Sequence, residues 1–547
     1  MKKKYIYKKN FIFNIIKKDL ICKKYKTITT RFPPEPNGFL HIGHAKSIFL
    51  NLNIAKKYNG KCNLRFDDTN PNSENLKYIK FIIKDIKWLG FKIINNIYYT
   101  SDYFNIIYKY AKELIKKNLA YVDELSKNKI HKYRGTLTKP GKISPFRNRS
   151  IKENLYMFKK MKYGYFPEGA ACLRAKINMS SFNIVMRDPI LYRIKYIKHF
   201  KTNKTWCIYP TYDFSHCISD SLEKITHSLC TLEFLDNRIL YNWILDNITK
   251  KFNPCQYEFS RLNLTYYILS KRKLKFLVKN KFVNNWDDPR MPTLSGLKCK
   301  GYSSNSIYNF CKNIGITNQE SLINIETLEH YVRNDLNKKS LHYMGVIDPL
   351  IIIIKNMGKH IEMILMLKNP KNIKEGYRIV PFSKKIYIDK SDYKEKFDKN
   401  YKRLILGRKI RLRNSYVIKA KKIIKNICGN IKKIYCIYYY NTLNKKIKIN
   451  NKSINVIHWV SKKHSIPVTI NLYNHLFKVP NPGKYKNIIS IINPNSLIIK
   501  NSYVEPNLYY LKNYNSFQLE RIGYFCLVKT KYKNNLIFNR IIKLKKY

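Results

Sequence analysis

Two histidines three residues apart, His41 and His44, stand at the end of the run RFPPEPNGFLHIGH, residues 31–44. An imidazole pair can donate to phosphate oxygens and stabilise charge that develops on them. Pro33, Pro34, Pro36 and Gly38 forbid a regular helix or a central strand, so the pair closes a tight loop. Beyond it Ala45, Ile48, Phe49, Leu52 and Ala55 recur at three- and four-residue spacing, one face of a helix. The start of that helix adds unpaired N–H groups and a dipole, both favourable to phosphate. A lone His-x-x-His also suits apolar packing; its position between a proline-rich turn and a helix start favours chemistry. Two further groups match. Asp67 and Asp68 follow a strand, where Asp67 can meet an ammonium and Asp68 can cap the next helix. Ile268-Leu269-Ser270-Lys271-Arg272 offers cations on a turn, although lysine-rich surface turns are common in this chain.

These residues need a scaffold. Thr27–Thr30 reads as a strand, followed by the loop, the helix and a second strand at Cys62–Phe66, a βαβ unit with a right-handed crossover. Ile79, Ile82, Ile83, Ile86 and Leu89 mark one further helix, and Phe104, Ile107, Tyr108, Ala111, Leu114 and Ile115 another. Residues 102–210 interrupt the sheet. They include RGTLTKPG (134–141), a turn carrying the apolar Leu137, and strand-like pieces ending in WCIYPTYDF. The sheet resumes over 211–262, where Tyr212, Asp213, His216, Cys230, Asp236 and Arg238 lie among apolar neighbours, as a buried small-molecule pocket requires. The Ser, His and Asp of FSHCISD lack a Gly-x-Ser-x-Gly elbow, which excludes a hydrolase triad of that type. Residues 273–340 read as mainly helical. From 341, β-rich runs such as YRIVPFS, KIYID, KIRLRNSYVIKA and NVIHWVS alternate with turns, the pattern of two small β-barrels.

Lys and Arg number 106 against 35 Asp and Glu, a formal charge of +71. A polyanion is the expected partner, and a folded RNA the natural one. Heavy use of Lys, Asn, Ile and Tyr is also what AT-rich coding produces, and the basic residues are spread throughout, so charge alone marks no binding face. It does imply salt-sensitive binding. The 12 cysteines form no Cys-x-x-Cys and no zinc-finger spacing, so reduced thiols are expected. Leu350–Ile354 is too short to span a bilayer. MKKKYIYKKNFIFNII runs into Lys17, Lys18 and Asp19 without a small-residue cleavage site, which reads as an amphipathic helix of a cytoplasmic protein.

His41-Ile42-Gly43-His44 resembles the first signature of the class I aminoacyl-tRNA synthetases, and LSKR (269–272) the second, mobile lysine loop. The surrounding run, with DDTNP, SDYF, LAYVDEL, FSRLNL, YKRLILG, RLRN and VPNPG, looks like the glutaminyl/glutamyl subgroup over essentially residues 10–540. The resemblance implies a multidomain α/β plus all-β protein. Its parts are an N-terminal helical segment (1–25), a Rossmann-like nucleotide-binding fold in two halves (26–101 and 211–262), an inserted acceptor-stem-binding domain (102–210), a signature loop with a helical subdomain (263–340), and two anticodon-binding β-barrels (341–547). It implies ATP-dependent attachment of glutamine to tRNA-Gln through an adenylate, releasing AMP and pyrophosphate, by a monomer whose Mg²⁺ arrives with ATP and which has no metal site of its own. A glutamyl enzyme of the barrel type and a catalytically degenerate RNA-binding protein are the alternatives. Leu269, in place of the usual methionine, suits the glutamyl branch as well.

By the same resemblance His41, His44 and Lys271 are catalytic. Glu35, Pro36 and Asn37, the helix start Ile42, Gly43, Ala45, Lys46 and Ser47, then Thr231, Arg261, Leu262, Leu269 and Ser270 complete the ATP site. Asp67 and Tyr212 take the amino acid, with Arg31, His216 and Cys230 around its side chain. A glutamate pocket needs a cation facing the γ-carboxylate. Related glutamyl enzymes commonly place arginine where this chain has Cys230, whose thiol offers no charge, although Arg31 could still pair with a carboxylate. Leu137 and Asp236 belong to the acceptor end, and Arg403, Arg411, Gln518 and Arg521 to the anticodon. His342 stands where the glutaminyl pattern expects arginine.

Overall fold

The computed structural model describes residues 10–91, 97–396, 401–443, 445, 448–449, 452–511, 515–528 and 536–544. Part of the expected N-terminal segment, residues 1–9, lies outside them. The chain divides into two compact units, Met1–Asn263 with Tyr308–Ile323, and Leu264–Ile307 with Asn324–Tyr547.

In the first unit α1 (Phe11–Ile21) is a helix whose Ile12, Phe13 and Ile16 pack on Leu50, Ile54, Leu229 and Phe259. Next come β1 (Thr29–Phe32), α2 (Ile42–Lys57), β2 (Lys61–Phe66), α3 (Leu76–Trp88) and β3 (Ile97–Tyr99), with β1, β2 and β3 parallel. The helix and strands read from spacing are present, but the first strand runs two residues later than expected, which puts Arg31 on it. Gly60 allows the tight entry into β2: a Cβ there would lie 1.9 Å from the Ile28 carbonyl oxygen.

α4 (Phe104–Lys116), β4 (Ala120–Asp123), α5 (Lys127–Arg134), α6 (Ile151–Lys162), β5 (Cys172–Ala175), β6 (Ile190–Ile194) and β7 (Ile208–Pro210) follow, and the four strands form one antiparallel sheet in sequence order. Then α7 (Tyr212–Leu222), β8 (His227–Thr231), α8 (Arg238–Asn247) and β9 (Cys255–Phe259) return to a parallel pairing of β8 with β9. Thr226 and Thr29 exchange hydrogen bonds (Thr226 N to Thr29 O, 2.9 Å; Thr29 N to Thr226 Oγ1, 3.0 Å), which sets β8 beside β1. The chain thus winds away from β1 on one side and from β8 on the other. The carboxyl ends of these strands meet at the point where an open parallel sheet holds its ligands.

The second unit carries α9 (Lys271–Lys279), followed by helices including Leu294–Lys300 and Ile325–Lys339. Its β-rich remainder forms two seven-stranded sheets and two two-stranded ones among the described residues. One seven-stranded sheet begins at Leu341–Tyr343 and ends at Gly345–Val346; the other begins at Val456–Ile457 and ends at Val460–Ser461. In both, the two edge strands are neighbours along the chain, so each sheet curls back on itself, and barrel closure removes exposed edges. The run Pro349–Ile354, apolar throughout in sequence, alternates buried and half-buried residues, with Leu350, Ile352 and Ile354 in the barrel core.

Candidate active site

The loop after β1 delivers the two histidines to the start of α2. His41 is the N-cap, its Nδ1 accepting from Gly43 N at 3.1 Å, while His44 Nδ1 accepts from His41 N at 3.0 Å. A capping box is normally made by a hydroxyl and a carboxamide or carboxylate; here two imidazoles make it, with ring centroids 3.8 Å apart. Because both Nδ1 atoms accept, each neutral ring carries its proton on Nε2, as a donor suited to an anion. The preceding loop is tied to its surroundings by the backbone: Asn37 N bonds Glu35 O, Asn75 N bonds Pro36 O and Asp67 N bonds Pro34 O.

Within α2, Ile42 and Ala45 are buried, Gly43 and Ser47 half-buried. Lys46 is turned inward, its ammonium 2.6 Å from Ser260 O and 3.2 Å from Ser260 Oγ, and burial lowers its pKa to about 8. It straps α2 to the chain just after β9. Leu262 is buried there, whereas Arg261 is half-exposed and paired with Glu233 and Glu320. Thr231 closes β8.

The residues expected around the amino acid come together. Arg31 on β1, Asp67 after β2, Tyr212 and His216 on α7, and Cys230 on β8 surround one buried cluster. Arg31 donates from Nε to Asp220 Oδ1 (3.2 Å), from Nη1 to Leu229 O (2.7 Å) and from Nη2 to Ser228 Oγ (2.8 Å), with Cys230 Sγ at 3.3 Å. Arg65 donates to Asp67 Oδ1 (2.8 Å), Asp220 Oδ1 (2.8 Å) and Glu223 Oε1 (3.2 Å). The His216 ring lies between the two guanidiniums, Nε2 3.1 Å from Arg31 Nη2 and Nδ1 3.2 Å from Arg65 Nη2. Burial, opposed by Asp220 but helped by both arginines, lowers its pKa to about 4, so it is neutral. The two arginines hold the Asp220 carboxyl well below the usual range, overcoming the effect of its burial. Burial pushes the Cys230 thiol up, keeping it protonated. Tyr212 stacks on His216, centroids 4.9 Å apart.

Asp67 accepts from Arg65 and from Thr100 Oγ1 on one oxygen; its Oδ2 is buried without a hydrogen-bond partner. A buried carboxylate oxygen in that state is a ready acceptor for an ammonium group. Asp68 departs from expectation: the next helix, α3, is capped by Asn75, and Asp68 instead accepts from Ser101 N (2.8 Å) and Ser101 Oγ (2.7 Å), holding the turn before α4. Burial raises Asp68 to about 7, and raises Glu74, which accepts from Asn70 N, to about 9. Arg65, Glu223, Ser228 and Glu74 went unread in the sequence, and Asp220 was weighed only as the aspartate of FSHCISD, a triad member set aside. The recoverable signal was an arginine inside the apolar strand pattern of β2.

Leu137 is 81% exposed on its turn. Arg187 fixes that turn, with Nη1 2.9 Å from the carbonyl oxygens of Arg134, Thr136 and Lys139. Asp236 is exposed, its carbonyl accepting from Asn183 Nδ2 at 2.9 Å.

The remaining expected residues belong to the second unit. Lys271 is the first residue of α9, with Ser270 as its exposed N-cap and Leu269 half-buried before it. His342 and Gln518 are register partners on parallel strands and both are buried; His342 Nε2 lacks a hydrogen-bond partner. Arg521 and Arg403 converge on the buried Asp392: Arg521 Nη1 and Nη2 at 2.8 and 3.0 Å, Arg403 Nη1 at 2.9 Å. Arg411 donates to the carbonyls of Ser415, Thr442 and Lys445 instead.

Three family models match this chain: the catalytic domain of tRNA synthetases class I (E and Q) over residues 27–338, and two anti-codon binding domains of the same group over 341–439 and 456–528. Among curated proteins, glutamine--tRNA ligase of Proteus mirabilis is 55% identical over 98% of this chain and 97% of that protein. The proteins of the same name from Salmonella paratyphi B and Shigella boydii show the same identity and the same coverage of both chains. Among solved structures, a glutamate tRNA ligase from Elizabethkingia meningosepticum aligns with a TM-score of 0.44 and 16% identity, over 58% of this chain and 70% of that one.

Proposed function

The chain belongs to the class I tRNA synthetases of the E and Q group, and from that premise we propose that it attaches glutamine to tRNA-Gln through a glutaminyl-adenylate, with ATP as the second substrate. The observation that carries the choice of glutamine is the charge state of the buried cluster: Cys230 is a protonated thiol, His216 is neutral, and the Arg31 charge is engaged by Asp220. A γ-carboxylate would be buried there without a cation of its own, which is costly, whereas a carboxamide needs only hydrogen bonds. A site that reads an amide in this way discriminates by ~10⁴ or more.

The residues divide the work as follows. Asp67 Oδ2 receives the α-ammonium and Tyr212 lies against the amino acid. The substrate carboxylate attacks the ATP α-phosphate, and the pyrophosphate leaves. His41 and His44 donate to phosphate oxygens from Nε2, beside the N-terminus of α2, and Lys271 neutralises the leaving pyrophosphate with Mg²⁺ carried by ATP. Such transfer depends on positioning and charge stabilisation more than on covalent participation. The adenylate then passes its acyl group to the terminal ribose of the tRNA. We read 26–101 and 211–262 as the nucleotide fold, 102–210 as the acceptor-end insert with Leu137 and Asp236, and His342, Arg403, Arg411, Gln518 and Arg521 as anticodon contacts. The protein acts as a monomer in the cytoplasm. Among the described residues no helix is long and apolar enough to cross a membrane.

One electrostatic contact in a transition state is worth about 3 kcal/mol, so Lys271→Ala is expected to lose on the order of a hundredfold in aminoacylation rate; a near-normal rate removes Lys271 from the mechanism. The function itself is tested by charging tRNA-Gln and tRNA-Glu transcripts with labelled glutamine and glutamate. Glutamine on tRNA-Gln is the expected product, and glutamate on either transcript as the main product overturns the reading.

A further inference from the structure

Asp67 Oδ2 can meet an α-ammonium well only if the loop that carries Asp67 is held in place. Two of its fixings come from elements close to the β1–β3 sheet. Asp67 N donates to Pro34 O at 3.2 Å, and Thr100 and Ser101, just after β3, donate to the Asp67 and Asp68 carboxyl groups. The third comes from the segment 102–210. His199, on the hairpin between β6 and β7, places Nε2 3.0 Å from the Asp68 carbonyl oxygen, 131 residues away along the chain.

The His199 ring is set to donate in that one direction. Its Nδ1 accepts from Lys201 N at 3.2 Å and from Thr202 N at 3.1 Å, so the ring proton sits on Nε2. The side chain is fully buried, and burial lowers its pKa, which keeps the ring neutral. Asp68 Oδ2 and Glu74 Oε2 lie 3.7 and 3.8 Å from Nε2, beyond hydrogen-bond reach, so the carbonyl is its acceptor. Phe200 stacks on the ring with centroids 4.7 Å apart, and Phe104, the first residue of α4, meets it edge-on at 5.9 Å. The hairpin closes by two backbone bonds, His199 N to Asn203 O and Asn203 N to His199 O, both 2.9 Å. One ring thus joins three segments: the Asp67–Asp68 loop, the turn into α4 and the hairpin. The contact to Asp68 is a neutral donor on a carbonyl, so what it fixes is position rather than charge.

We infer that His199 is a positioning residue for the amino acid: its Nε2–H pins the Asp68 carbonyl and so sets the place of the Asp67 carboxylate that receives the α-ammonium. This rests on the reading of Asp67 given above. An anchor on the ammonium acts alike before and during the reaction, so loosening it raises KM and leaves kcat in place. The start of α2 is fixed separately, by its two-imidazole cap and by the Lys46–Ser260 strap, so the KM for ATP is not drawn along.

The test is steady-state aminoacylation of tRNA-Gln by the full chain, with kcat, the KM for glutamine and the KM for ATP measured in the parent protein, His199→Asn and His199→Gln. His199→Asn keeps an acceptor near the place of Nδ1 for the hairpin N–H groups and loses the Nε2 donor. His199→Gln does the opposite, keeping an N–H near the place of Nε2. His199→Asn is expected to raise the KM for glutamine about tenfold, the effect of one buried acceptor left unpaired, with kcat and the KM for ATP within about twofold of the parent. His199→Gln is expected to hold the KM for glutamine within about threefold of the parent. A role confined to the shape of the hairpin predicts the reverse order, with His199→Asn benign and His199→Gln harmful. That result, or one KM for glutamine in all three proteins, overturns the inference. If His199→Asn does not fold, Asn203→Val moves the hairpin instead, because Asn203 is exposed with a φ of 54°, where a β-branched residue is strained. A rise of about threefold in the KM for glutamine alone is then expected, and an unchanged KM again overturns the inference. Failure of the Asp67 reading is seen separately, as an Asp67→Asn variant whose KM for glutamine matches the parent.

Discussion

The molecule uses one motif twice: a buried aspartate holding two arginines beside a histidine. In the first unit Asp220 holds Arg31 and Arg65 beside His216, and both arginine side chains are fully buried. In the second unit Asp392 holds Arg521 and Arg403 beside His458, but those arginines keep 27% and 42% of their side-chain surface open. The aspartates are equally hidden, so the difference lies in the cations. A closed cluster has charges that only a small molecule in the pocket can sense, and any imbalance there is strongly felt. An open cluster presents guanidiniums in a fixed orientation to a large ligand and leaves them screened by solvent. The same side chains thus serve small-molecule selectivity in one place and, by our proposal, reading of single-stranded bases in the other.

The largest expected contrast is in stability. Arg65→Met takes one cation from three buried carboxylates, leaving Asp67 and Glu223 without an ion-pair partner among the described residues and Asp220 with Arg31 alone, and is expected to cost about 3–5 kcal/mol, or to prevent folding. Arg403→Met removes a half-open partner and is expected to cost under about 1 kcal/mol. Urea titrations of the two variants check this; equal losses would erase the distinction between closed and open clusters.

Salt gives the next contrast. Raising ionic strength from about 50 to 200 mM is expected to weaken tRNA binding by at least tenfold, because phosphate contacts release counterions, while the KM for glutamine changes by less than about twofold. A KM for glutamine that tracks salt would mean that the closed cluster is open to solvent.

The smallest expected effect is with pH. His216 has its folded pKa lowered to about 4 from 6.5, so its contribution to stability is complete above 6.5 and declines as pH falls toward 4. Asp220, held below its ordinary value, adds its own loss once pH falls below about 3.8. Between pH 6.5 and 8 neither group changes charge, and the glutamine-to-glutamate ratio of kcat/KM is expected to stay constant within about twofold. A steady drift of that ratio across this range would place a titrating group at the side-chain pocket.

Much of this was legible in the sequence, for definable reasons. The loop from Arg31 to His44 announced itself because three prolines and a glycine leave few conformations, and α2 because its apolar spacing matches one helical face. Leu137 stood out as an apolar tip on a polar turn. What stayed hidden were the partners behind the site. Arg65 sits in a strand whose neighbours are apolar, and nothing local shows that its charge is spent on Asp67, Asp220 and Glu223, the last two more than 150 residues away in sequence. Asp68 was assigned to the next helix by proximity, whereas the fold brings Ser101 to it. Local pattern reveals what a segment becomes; pairings across the sheet arise only once the chain has closed.

The most direct test of the central claim is ATP–pyrophosphate exchange in the presence of tRNA-Gln, run side by side with glutamine and with glutamate. The closed cluster predicts exchange that depends on glutamine, with glutamate at least a thousandfold less effective per unit concentration, the order of discrimination that buried polar recognition reaches (about 10⁴). Comparable exchange with both amino acids, or exchange favouring glutamate, would contradict it.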